Sequence, residues 1–265
     1  TVSRSSLLRR WYVFALLLNA TPASWSQKLD VLPAASLFPD FSADALAHQL
    51  SLSRVTDNRE WIGAIGLAGP LLQWGEDLQL GAGATVFNRI IKTPGHITVS
   101  TMDYRVDFPV DLRLDSLRLR AAFGHVSCHY ADDGIEQLGR RSISSVRDYL
   151  QFAAAWMVPN GHAYAAGTFN YHNEPVADRR WHLQAGGEVI AFRFGSDVQL
   201  YGALDIKIKE DVGWGSTQSY QLGVRLSGSG GRNVRAAFTH RRGFEERGQL
   251  YDQRTIMNQV GLFID

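Results

Sequence analysis

His125 and Ser127 stand two residues apart in the stretch Leu117 to His129, which reads Leu-Arg-Leu-Arg-Ala-Ala-Phe-Gly-His-Val-Ser-Cys-His. An imidazole beside a hydroxyl is the minimum equipment for nucleophilic catalysis: the ring takes the hydroxyl proton as the oxygen attacks a carbonyl. On a β-strand, residues i and i+2 leave the same face with Cα atoms about 6.6 Å apart, within reach of suitable rotamers. The base also needs an acceptor to orient it. Asp148 is the first candidate, because it shares its parity with Leu150 on the next strand; Asp132 is the second. His129, Asp133 and Arg147 are the binding groups expected around the pair. The oxyanion donors are left open between backbone N–H groups, an arginine such as Arg147, and water.

The same residues have a plainer explanation. A histidine and a serine at one end of an apolar strand face also mark the polar girdle where a strand leaves hydrocarbon. Metal binding is a third chemistry, since His125, Cys128, His129, Asp132 and Asp133 are ligand types in close succession. Spacing argues against it: on a strand His125 and His129 stand about 13 Å apart. Only a loop beginning after Ser127 would let His129, Asp132 and Asp133 share an ion, so no metal or cofactor is expected.

The elements that must position these groups are strands. From Ala45 onward, segments of about 10 residues alternate apolar and polar side chains between Gly, Asn, Asp or Pro breaks, and roughly twelve such segments can be counted. The clearest sets Tyr104, Val106, Phe108, Val110 and Leu112 against Asp103, Arg105, Asp107, Pro109 and Asp111. Pro109 cannot donate to a ladder, so a bulge or strand end is expected there. Arg105, Arg118, Arg120, Arg225 and Arg235 would share one side of the sheet with Asp103, Asp107, Glu188 and Asp205. Such a side fits the lumen of a narrow barrel packed with ion pairs, holding at most a small channel.

At the N-terminus, Arg4, Arg9 and Arg10 precede the apolar run Trp11 to Leu18 and then small residues up to Ser26. That is the layout of a secretory signal peptide, and a run rising about 12 Å is too short to span a bilayer. The chain is 45% hydrophobic, carries 27 basic against 26 acidic residues, and holds one cysteine. Near-neutral charge gives no bulk attraction for nucleic acid, and one cysteine excludes an intramolecular disulfide framework. The expected organisation is a signal peptide at 1–26, an extended segment at 27–44, and at 45–265 an all-β, closed antiparallel transmembrane barrel of about twelve strands. It would sit in the outer membrane of a Gram-negative bacterium after signal-peptide cleavage, with outer-membrane lipids as partners; sequence sets no oligomeric state. A secreted sandwich or lipocalin-like barrel is the alternative fold.

Several pieces in order resemble the bacterial family catalogued as domain of unknown function 1207. They are His125-Val126-Ser127-Cys128-His129 with Asp132-Asp133, Arg147-Asp148-Tyr149-Leu150, Ala203-Leu204-Asp205-Ile206-Lys207 with Trp214, Arg247-Gly248-Gln249, and Gly261-Leu262-Phe263-Ile264-Asp265. The resemblance covers most of the chain from Leu37 and implies an outer-membrane barrel without an assigned activity. Separately, the His-x-Ser pair on a lipid-facing strand resembles the outer-membrane phospholipase and lipid A deacylase barrels, which implies hydrolysis of acyl esters at the bilayer surface. The phospholipase pattern continues with Asn-Gly, where this chain has Cys128-His129. The functional expectation is a barrel that hydrolyses acyl esters of outer-membrane lipids; the alternative is a non-enzymatic channel or scaffold.

Overall fold

Alternation carried over this many segments has one outcome in the computed structural model, which describes residues 28–131, 138–139, 141–228 and 232–265: a single 13-stranded sheet. The strands are β1 (Leu29–Val31), β2 (Leu50–Val55), β3 (Glu60–Trp74), β4 (Leu78–Thr93), β5 (His96–Leu114), β6 (Leu117–Tyr130), β7 (Ser145–Val158), β8 (Gly161–Glu174), β9 (Trp181–Phe194), β10 (Val198–Lys209), β11 (Gly215–Ser227), β12 (Asn233–Phe244) and β13 (Arg254–Ile264). Each strand from β2 to β13 pairs antiparallel with the next, and β13 pairs back onto β2, so these strands close on themselves without a free edge. The short β1 adds to the edge of β3. The all-β, closed antiparallel barrel expected from the alternation is therefore the observed fold. Residues 1–26, the expected signal peptide, lie outside the described residues.

The barrel is inside-out relative to a soluble protein. Leu67, Phe152 and Ile65 are 74%, 65% and 65% exposed on the outer wall, whereas Asp103 and Arg235 are each 1% exposed on the inner one. Apolar side chains outside and charges inside are what a barrel wall needs when its solvent is hydrocarbon. No helix among the described residues is long and apolar enough to cross a membrane. Strands β3 and β4, β5 and β6, β7 and β8, β9 and β10, and β11 and β12 follow one another at one end, mostly across two or three residues; β2 and β3, β4 and β5, β6 and β7, β8 and β9, β10 and β11, and β12 and β13 follow one another at the other, where the longer intervals fall. By the usual asymmetry the first end is periplasmic and the second external.

The lumen is filled. Residues 37–49 run through it: Asp44 pairs with Lys207 at 2.5 Å, Ser42 donates to Glu188 at 2.6 Å, Phe41 stacks on Tyr164 at 4.0 Å, and His48 meets Asp107 at 2.7 Å. Gly83 makes room for the segment, because a Cβ there would come within 2.8 Å of the His48 ring. Arg235 reaches the Ser42 carbonyl and Gln49 while pairing with Asp265 at 2.6 Å. At the external end the loop 245–253 folds inward, with Glu246 3.1 Å from Lys207 and the Gly248 N–H donating to Asp103 at 2.9 Å. Cavities of about 30 and 80 Å³ remain, with Asp44 lining both.

Three details differ from the sequence expectation. Pro109 neither ends β5 nor makes a bulge: pairing with β4 lapses between Leu80↔Val110 and Gly83↔Asp107 and resumes in the same register. Arg118 does not join the luminal ion pairs; near the periplasmic turn it donates to the backbone carbonyls of Asp115 and Leu117. Asp205 accepts from neutral partners, the Tyr164 hydroxyl and the Gln184 amide, each at 2.6 Å.

Candidate functional site

Antiparallel register places His125 of β6 opposite Asp148 of β7, and Asp148 opposite His172 of β8. The three form one row on the outer wall, toward the external end. His125 Nδ1 lies 2.6 Å from Asp148 Oδ1, and His172 Nδ1 lies 3.0 Å from Asp148 Oδ2. A carboxylate only accepts, so each Nδ1 facing it carries the proton, and in neutral His125 the lone pair is then on Nε2. On its far side His172 Nε2 is 3.5 Å from Glu174, which also accepts from the Ser144 hydroxyl at 2.9 Å.

Ser127 is the next outward residue of β6, half-buried, with Val146 of β7 and Tyr104 of β5 as its register partners. His125 and Ser127 share a face but have no hydrogen bond to each other. His129 follows on the same face, exposed, with its ring 5.8 Å from that of Tyr104. Phe123 and Tyr171 stack at 6.3 Å on the membrane side of the row. Imidazole, hydroxyl and carboxylate thus sit against apolar surface open to lipid.

The wall behind the row is cross-bonded. Gly124 lies between Asp107 and Tyr149 in register, and the Tyr149 hydroxyl donates to Asp107 across it. Arg105 donates from Nε to both, at 2.8 and 3.1 Å. Gln249, fully buried, ties β6 to Ile143 by donating to the Cys128 and Ile143 carbonyls at 2.9 and 2.7 Å and accepting from the Ile143 N–H at 3.1 Å.

Several expected site residues lie elsewhere. Arg147 faces the lumen, bonded to Asp211 at 2.8 Å, because it is one residue out of step with Asp148; it cannot serve as an oxyanion donor on the outer wall. Cys128 likewise points inward, buried against Gly248, and cannot share an ion with His125 or His129. Asp132 and Asp133 lie outside the described residues. His172 is the member the sequence analysis missed: counting by twos along β8 puts residue 172 in the lumen with Tyr164, Ala166 and Asn170. A register shift between Asp148 and Tyr149 leaves Tyr171 as an extra residue and turns His172 outward.

No family model matches the chain, and no curated protein does, so the resemblance to the domain of unknown function 1207 is without that support. Solved structures do match. The outer-membrane phospholipase of Salmonella typhi, crystallised as a dimer with bound calcium, is 14% identical, covers 82% of this chain and 90% of its own, and superposes with a TM-score of 0.55. Outer-membrane phospholipase A from Escherichia coli is 16% identical, covers 86% of this chain and 99% of its own, again with a TM-score of 0.55. At these identities the likeness is one of fold: the chain has the architecture of an outer-membrane β-barrel.

Proposed function

We propose that the protein hydrolyses acyl esters of outer-membrane lipids on the outer wall of the barrel, with Ser127 as nucleophile, His125 as general base and Asp148 as the group that orients it. The observation that carries this is the 2.6 Å contact between His125 Nδ1 and Asp148, which puts the proton on Nδ1 and leaves the Nε2 lone pair available as a base, on the strand face that also carries the Ser127 hydroxyl. The likeness to outer-membrane phospholipases in fold supports it. As Ser127 Oγ attacks the ester carbonyl, His125 Nε2 takes its proton and then gives it to the departing alcohol. Water, activated by the same nitrogen, then cleaves the acyl-serine to a fatty acid.

Depth supports the assignment. Phe152 lies near the middle of the 14-residue strand β7. Asp148 is four residues nearer the external end, which at a strand tilt of about 40° is about 10 Å from mid-membrane in an apolar band about 25 Å tall. Ester groups of a bilayer lie at that boundary, while the tails would run along Phe123 and Leu150 and hold the carbonyl in place. The filled lumen also favours the outer wall as the working surface over a solute path through the middle.

Calcium enters as an assay variable. Among the described residues no group of three or more His, Cys, Asp or Glu side chains is arranged to hold a metal ion. The test is fatty-acid release by purified protein in mixed micelles of detergent and a dioleoyl phospholipid, with calcium and with EGTA. Loss of several orders of magnitude in Ser127→Ala and His125→Ala is expected. No release by folded wild-type protein in either arm, or unchanged release by Ser127→Ala, would overturn the proposal.

A further inference from the structure

We propose that His172 is a positioning residue that locks the Asp148 carboxylate in the orientation His125 needs; this rests on the acyl-hydrolase reading of Ser127 and His125. The first observation is the bulge. With strict alternation His172 would point into the lumen, but the extra residue Tyr171 turns it onto the outer wall beside Asp148. Bulges recur where a side chain must be re-aimed next to a site, and here the re-aimed side chain is the second imidazole of the row.

The second observation is how the contacts divide. Asp148 has one oxygen on each imidazole, Oδ1 toward His125 at 2.6 Å and Oδ2 toward His172 at 3.0 Å. A carboxylate with a single partner on an apolar wall is free to rotate about its terminal bond, and the imidazole it orients swings with it. A donor on the second oxygen removes that freedom. Glu174, 3.5 Å from Nε2, fixes the His172 ring from the other side, and the Ser144 hydroxyl holds Glu174 at 2.9 Å. With a carboxylate facing each of its nitrogens, the His172 ring is held between Asp148 and Glu174, and its Nδ1–H is the one aimed at the Asp148 oxygen that His125 does not use.

The side chains of Asp148 and His172 are 25% and 49% exposed, so replacing His172 leaves no buried void in the barrel. In the micellar assay, with folding checked by heat-modifiable gel mobility, His172→Phe and His172→Ala are expected to lower kcat about 10- to 100-fold with KM unchanged, the scale of a misaligned catalytic group. His172→Gln, whose amide N–H can still donate to Asp148, is expected to recover most of the rate. The low-field proton resonance of His125 Nδ1–H, absent in Asp148→Ala, is expected to persist in His172→Gln and to broaden in His172→Phe. Hydrolysis by wild type that both His172→Phe and His172→Ala leave unchanged would overturn the positioning role alone. So would an unaltered Nδ1–H resonance in His172→Phe. No hydrolysis by wild type would instead overturn the acyl-hydrolase reading, and this role with it.

Discussion

Replacing Phe152 with arginine tests the inside-out assignment on which the location of the site depends. Phe152 is 65% exposed near the middle of β7, and Val158, 50% exposed, ends the same strand at the periplasmic turn. The two lie six residues apart, a depth difference of about 15 Å at a tilt of about 40°. Phe152→Arg therefore puts a guanidinium near the mid-plane, beyond easy reach of water, at a cost of about 2–4 kcal/mol, whereas Val158→Arg near the interface costs about 0–1 kcal/mol. Guanidinium titration of folding into phospholipid vesicles, followed by tryptophan fluorescence, gives both differences against wild type. Equal costs for the two variants, or a cost near zero for Phe152→Arg, would mean that the outer wall does not face hydrocarbon at this depth.

Gly124→Ala is expected to lower folding stability by about 1–3 kcal/mol through overpacking, since the new Cβ would collide with Asp107 and Tyr149 behind the His125 row; an unfolding midpoint matching wild type would show that this luminal contact yields. The inward fold of the 245–253 loop should weaken in acid. Burial alone would raise the Glu245 carboxyl, but Arg247, donating from Nε at 3.1 Å, brings it down to about 2 from an ordinary 4.5. A carboxylate depressed in this way stabilises the loop fully above pH 4.5 and loses that contribution as pH falls from 4.5 toward 2. Hydrogen exchange of the loop should accelerate over that window, and protection unchanged down to pH 2.5 would contradict it.

Period-two alternation made the barrel legible, because hydrocarbon outside and ion pairs inside impose opposite chemistry on successive residues. The same arithmetic brought Asp148 to His125, and applied one residue earlier it would have sent Arg147 to the lumen. His172 was hidden because a bulge inverts the count, and neither Glu174 nor Tyr171 signals one. The luminal segment 37–49 was hidden for another reason. It has no periodicity of its own, and Ser42, Asp44 and His48 acquire their charged partners from strands far along the chain. Reading 27–44 as an extended segment attends to local pattern, whereas the ion pair and hydrogen bond that seat Asp44 and Ser42 in the lumen are tertiary.

Those distant contacts bear on the order of assembly. The segment touches Gln79 of β4, Arg105 of β5, Arg120 of β6, Tyr164 of β8, Glu188 of β9, Lys207 of β10 and Arg235 of β12. No partial sheet offers that set of partners at once, so its binding sites come into being only as the curling sheet brings both flanks together. Gln49, its last residue, leads directly into Leu50, which pairs with Ile264 in the closing seam between β2 and β13. Docking of the segment draws in the first strand of the seam, while Arg235, gripping both Ser42 and Asp265, draws in the last. Contacts of such long sequence separation are the kind whose loop-closure entropy must be met before they form, and they tie filling of the lumen to sealing of the wall.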